Sequence, residues 1–120
     1  MYRKFRDMPI WKQALDVSVR IFKLTDNLPR KEDYGLTSQI RRSANSMGAN
    51  IAEGFGRRHT REKTNFYVIS RGSAYETIHH ILYGTEIEYF CKEETSSIIK
   101  DLEGIIYEIN KMIKSLNDST

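Results

Sequence analysis

No proline follows Pro29, so from Arg30 to Thr120 no ring locks φ or removes a backbone N–H. Proline is the residue a helix interior tolerates least, and so long a stretch without it favours long helices over many short strands. The apolar residues repeat to match. Ile98, Leu102, Ile105, Ile109, Met112 and Leu116 step four, three, four, three, four, and Ile99, Ile106 and Ile113 widen the line at sevens. This heptad-like seam predicts a helix over about residues 93–116. Nothing alternates as a strand does, and no internal repeat occurs.

Three further helices follow from spacing. One over about residues 9–28 carries Trp11, Ala14, Leu15, Ser18, Ile21, Phe22 and Thr25 on one face, with Pro9 suited to its first turn and Pro29 beyond its end. A second, about 32–56, carries Leu36, Ile40, Ala44, Met47, Ile51 and Phe55. The third, about 60–89, opens at Thr60 as N-cap with Glu62 in its first turn. Its stripe is Phe66, Ile69, Ser70, Ser73, Ala74, Ile78, Ile81, Leu82 and Thr85. Four amphipathic helices joined by short connectors predict an all-α fold, an antiparallel up-down-up-down four-helix bundle. Trp11, Ile40, Met47, Ile51, Ile78, Leu102, Ile105, Ile109 and Met112 are its expected core.

The 120 residues suit a single domain, 1–120, with one core. Charged residues at 29% and hydrophobic residues at 39% argue against both a membrane-spanning chain and disorder. Cys91 is the lone cysteine, so the fold needs no oxidising compartment, and Met1 to Gln13 lack the apolar run of a signal peptide. The expected location is cytoplasmic.

No complete catalytic or metal-binding pattern is present. Glu76 and His79 have the Glu-x-x-His spacing of di-metal bundles, but that chemistry needs a second such pair and two more carboxylates. Cys91 has no histidine near it in sequence, and Gly54-Phe55-Gly56 is followed by Arg57-Arg58 rather than a Lys-Ser/Thr pair. No enzyme activity, cofactor or metal is expected.

The second and third helices are rich in small and short polar residues. Glycine inside a helix costs about 1 kcal/mol against alanine, so Gly48 and Gly54 call for close approach by another backbone. Gly48 and Ala49 are the expected contacts with a neighbouring protomer. Gly56 falls where a helix could end in a left-handed cap. Asn50, Glu53 and Glu76 are read as structural polar residues. Antiparallel packing about the 57–60 turn places Arg42 near Glu76, and Asn50 near Tyr67 or Ser70.

Charge is the main functional lead. The net charge is +3, but residues 41–71 carry net +5 and residues 72–120 net −5. Arg57, Arg58, His59, Arg61 and Lys63 crowd one helical corner, with Arg41, Arg42 and Arg71 further along the same two helices. Arginine suits bidentate contact with phosphate, whereas the plainer alternative is a solvated basic face. The expected nucleic-acid-binding residues are Arg57, Arg58, Arg61 and Lys63, then Arg41, Arg42 and Arg71. Tyr67 is the expected stacking platform, and Phe66 is read as core.

The stretch Tyr34-Gly35-Leu36-Thr37-Ser38-Gln39-Ile40-Arg41-Arg42-Ser43-Ala44 resembles the 23S rRNA-intervening sequence proteins, a four-helix bundle family. Ser46-Met47-Gly48-Ala49-Asn50-Ile51-Ala52-Glu53-Gly54-Phe55-Gly56-Arg57-Arg58 is the most specific match, and Arg71-Gly72-Ser73-Ala74 with Glu76 matches the third-helix signature. Phe5, Asp7, Ile10 and Trp11 match the N-terminal pattern, while Gly48 stands where the family usually has proline. The resemblance implies a bundle that assembles as a homopentameric ring. It also implies genes that can lie within rRNA insertions, and a related branch of accessory proteins linked to nucleic acid and a reverse transcriptase. Two functions are therefore expected in order: an RNA- or DNA-binding homo-oligomer, then a scaffold whose basic face meets an acidic protein partner.

Overall fold

The computed structural model describes residues 1–119. They form four α-helices and no strand: α1 (Pro9–Leu24), α2 (Leu36–Phe55), α3 (Thr60–Glu86) and α4 (Lys92–Asp118), with short 3-10 turns at Phe5–Asp7 and Arg30–Glu32. Each helix packs on two others. α2 lies between α1 and α3, α4 closes the far side, and α1 and α3 stand at opposite corners of the bundle. The molecule is elongated, 47 × 23 × 21 Å.

Paired residues give the direction of each neighbour. Along α2 and α3 the partners are Ser43 with Thr77, Ser46 with Ser73, Met47 with Ser70 and Gly54 with Tyr67. One number rises as the other falls, as in antiparallel neighbours. Ser43 Oγ and Thr77 Oγ1 lie 2.8 Å apart, Thr77 also donates to the Ser73 carbonyl at 2.8 Å, and Ser70 donates to the Met47 carbonyl at 2.8 Å. These hydroxyls are buried, and burial costs little only because each is bonded. At Gly54 the close approach is sterically required: an added Cβ would lie 2.6 Å from the Tyr67 ring.

The core contains Ile40, Met47, Ile51, Leu102, Ile105 and Ile109, all at most 1% exposed. Trp11, Ile78 and Met112 pack against it half-buried. Two predicted stripes need correction. On α1 the buried line is Ile10, Ala14, Val17 and Ile21, and Leu15 and Phe22 face outward. On α3 it is Tyr67, Ser70, Ser73, Ala74, Thr77, Ile81 and Gly84, and Ile69 and Leu82 face outward. Both helices carry a second apolar line, and the inward one is chosen by which small residues admit α2.

Helix ends also differ from the spacing. α1 stops at Leu24, where Thr25 turns its hydroxyl onto the Ile21 carbonyl at 2.8 Å. α2 begins at Leu36, four residues late, because Glu32 serves as an acceptor instead of a helical residue. Its Oε1 accepts the Leu36 N–H at 3.2 Å, and its Oε2 accepts the Tyr89 hydroxyl at 2.9 Å, so one carboxylate ties two connectors together. α3 ends at Glu86, since Glu88 enters the left-handed region at φ 68° and the N–H groups of Tyr89 and Phe90 both turn back to the Gly84 carbonyl.

Leu102→Ala is expected to lower unfolding free energy by about 2–5 kcal/mol in urea denaturation, the range for a packed core leucine. The hydrogen bonds from Leu36 and Tyr89 hold the Glu32 carboxyl below its usual pKa. A depressed folded pKa contributes stability above the unfolded value and loses it as pH falls through the folded one. Glu32→Gln should therefore lower the urea midpoint at pH 7 and shrink the loss of stability as pH falls through and below the ordinary carboxylate range.

Candidate nucleic-acid interface

The α2–α3 turn gathers the basic corner. Gly56 closes α2 with φ −75°, in the right-handed region rather than the left-handed cap its position suggested, and its N–H reaches the Ala52 carbonyl at 3.1 Å. His59, not Thr60, takes the N-cap position of α3 in extended backbone, and Thr60 is the first helical residue. No side chain caps that end, so the opening N–H groups of a 27-residue helix meet solvent beside the arginines.

The corner's cations have different surroundings. Lys63 Nζ donates to the carbonyls of Gly54 at 3.2 Å and Phe55 at 2.9 Å. It thus satisfies the last acceptors of α2, where a cation is favoured. The Arg57 guanidinium lies 4.7 Å over the Phe66 ring and bonds Glu53 at 3.2 Å. Arg58, His59 and Arg61 are exposed, and their side chains form no ion pair or hydrogen bond among the described residues. Beside them, a recess of about 400 Å³ is lined by Ala49, Ala52, Glu53, Gly56 and Arg57.

The other expected arginines lie elsewhere. Arg41 donates to Thr25 Oγ1 at 2.8 Å and to the Phe22 carbonyl at 3.1 Å, closing the C-terminus of α1. Arg42 pairs with Glu76 across α2 and α3, as the spacing predicts, at a partly exposed site. Arg71 reaches over to α4, donating to Asn110 Oδ1 at 2.8 Å. Arg41 and Arg57 are sixteen residues apart on the chain, roughly 24 Å along a helix. The seven cations are therefore not one patch.

Several smaller expectations change. Tyr67 is 4% exposed, its ring laid against Gly54, and burial pushes its phenol pKa up. It offers no face for stacking, whereas Phe66 is half-buried beneath Arg57. Asn50 bonds Ser46 in its own helix. Glu53 meets Arg57, and Glu76 joins Arg42 to His80, not to His79. Gly48 is buried against the Trp11 indole, 3.4 Å from where a Cβ would sit. Its close approach is thus made within the chain, while Ala49 is exposed. Lys63 as a cap was missed, although a lysine soon after a short turn is the available signal.

The model for 23S rRNA-intervening sequence proteins matches residues 6–115. The chain belongs to that family. Among solved structures, this family member is similar to a protein of unknown function from the S23 ribosomal protein family of Bacteroides thetaiotaomicron VPI-5482. The two are 28% identical with a TM-score of 0.79, covering 88% of this chain and 98% of the other. No curated protein matches this family member. No helix among its described residues is long and apolar enough to cross a membrane.

Lys63→Ala is expected to lower stability by about 0.5–1.5 kcal/mol, the range of a hydrogen-bonded cation at a helix end. Arg58→Ala and Arg61→Ala should stay within about 0.5 kcal/mol of the parent. Urea midpoints measured side by side would check this division.

Proposed function

We propose that this up-down-up-down bundle is a non-enzymatic homo-oligomer, a pentameric ring as its family resemblance implies, that binds RNA or other nucleic acid through the α2–α3 corner. The observation that carries the reading is the pair Arg58 and Arg61, exposed and unengaged beside the uncapped N-terminus of α3. Both features favour a phosphate group, the arginines by bidentate hydrogen bonding and the helix end by its N–H groups and dipole. Arg57 adds a third cation over an aromatic ring. Arg41, Arg42 and Arg71 are set aside as binding residues because each joins two helices.

A ring repeats the corner at equal intervals, so weak sites act together on one polyanion. No recognition helix enters the reading, so affinity is mainly electrostatic and insensitive to sequence. Neutralising about five phosphates of a single strand gives a slope near −3.5 in log K against log salt. In a salt titration of mixed-sequence RNA, Arg58→Glu with Arg61→Glu should weaken binding to every sequence alike and flatten that slope, with helical content unchanged. Equal binding by parent and double variant at each salt concentration would remove these residues. Absence of RNA affinity at low salt, with capture of an acidic protein instead, would favour the scaffold.

A further inference from the structure

The core is not closed over at the end of the bundle that carries the α2–α3 turn. α1 and α3 start at that end, and α2 and α4 finish there. Between them lies a recess of about 940 Å³, whose apolar wall includes Met8, Ile10, Phe55, Met112 and Leu116. Phe55, Met112 and Leu116 are partly buried and continue the core outward with no layer over them. The exposed side chains of Tyr2, Gln13, Ser115 and Ser119 form the rim. Small-molecule sites span roughly 300–1,000 Å³, so the recess is of a size to hold one.

Two polar side chains of α3 line the same recess. Lys63 and Tyr67 are four residues apart and so share a face of the helix. Tyr67 is more than nine-tenths buried, yet its hydroxyl forms no hydrogen bond among the described residues. Nor is that hydroxyl one of the unpaired polar atoms sealed from solvent, which are Thr37 Oγ1 and Thr64 Oγ1. The opening it meets is therefore the recess. Burial raises the phenol pKa, so at neutral pH the group keeps its proton and is a donor. Lys63 Nζ spends two N–H groups on the Gly54 and Phe55 carbonyls, which leaves the third of an ammonium unspent. The other charged side chains of the lining, Lys111 and Glu108, pair with each other at 3.5 Å.

This combination selects its occupant by chemistry. Water satisfies the two donors but leaves the apolar wall wet. A purely apolar molecule covers the wall and leaves the donors without an acceptor. A phosphate group on a nucleic acid meets the donors and does nothing for the wall. We infer that the recess binds a hydrophobic carboxylate, an acyl chain whose carboxylate accepts from Lys63 and Tyr67 while the chain lies along Phe55, Met112 and Leu116. A carboxylate has an oxygen for each donor, and hydrogen bonds to an ionised acceptor are the stronger kind. The flexible side chains of Met8 and Met112 suit a flexible occupant. The site is distinct from Arg58 and Arg61 and does not depend on nucleic-acid binding.

The test uses the full chain with its methionines labelled with carbon-13 in the methyl group, and dodecanoate below its micelle-forming concentration. Met47, fully buried in the core, is the internal control. Dodecanoate should move the Met8 and Met112 methyl resonances saturably and leave that of Met47 in place. Dodecanol, with the same chain and no charge, should bind about tenfold more weakly, and acetate should move nothing. Tyr67→Phe removes only an unpaired hydroxyl and should keep the parent's Tm. It should weaken dodecanoate about tenfold and leave dodecanol unchanged, a split that altered packing would not produce. Ser115→Trp at the exposed rim should weaken both ligands. No saturable shift with dodecanoate, equal affinity for dodecanol, or dodecanoate binding by Tyr67→Phe equal to the parent's would each overturn the inference. An equal response to acetate would assign the recess to small anions and overturn it. So would Met8 and Met112 signals that follow protein concentration but not dodecanoate, which would assign the recess to a second copy of the chain.

Discussion

The seam between α2 and α3 depends on hydroxyl groups that have no water to bind. Ser43, Ser70 and Thr77 are sealed from solvent and each bonds its neighbour helix or its own backbone. An unbonded hydroxyl in such a place costs roughly 1–3 kcal/mol, so sliding one helix past the other by a turn would leave several groups without partners. Apolar side chains alone do not impose that condition, because leucine against leucine is nearly as good one turn away. The seam thus sets register, and the larger side chains of α1 and α4 pack around a geometry already fixed.

Five cations in this fold end helices or join them. Arg41 covers the carbonyl end of α1 and Lys63 that of α2. Arg42 and Arg71 cross from one helix to the next, and Arg20 on α1 pairs with Asp101 on α4. Sequence shows a basic central segment, but the structure divides it into cations with protein partners and a small remainder turned to solvent. That division, rather than net charge, narrows the candidate interface to the turn.

How much could be read in advance differed by helix, for a physical reason. α4 has one apolar line flanked by charges, and its buried residues Ile98, Leu102, Ile105 and Ile109 match that line. α1 and α3 each carry two, and periodicity cannot say whether Leu15 or Val17 faces the core. The Arg42–Glu76 pair followed from counting residues about the turn, since both helices are regular there. The Glu32–Tyr89 bond did not, because it joins two irregular connectors 57 residues apart. The corner itself was visible as a cluster of basic residues. What each cation touches was not, because that depends on which carbonyls and rings the turn presents.

The hydroxyl-bonded seam also bears on the order in which the chain folds. Its partners are separated by 23 to 34 residues, around a four-residue turn. By contrast, the Arg20 contacts that join α1 to α4 span 77 and 81 residues. Closing a longer loop loses more entropy, and local contacts form sooner. The central hairpin is therefore the natural nucleus, able to form before α4 has left the ribosome. The first and last helices, which meet only across the whole chain, then complete the structure in a late step.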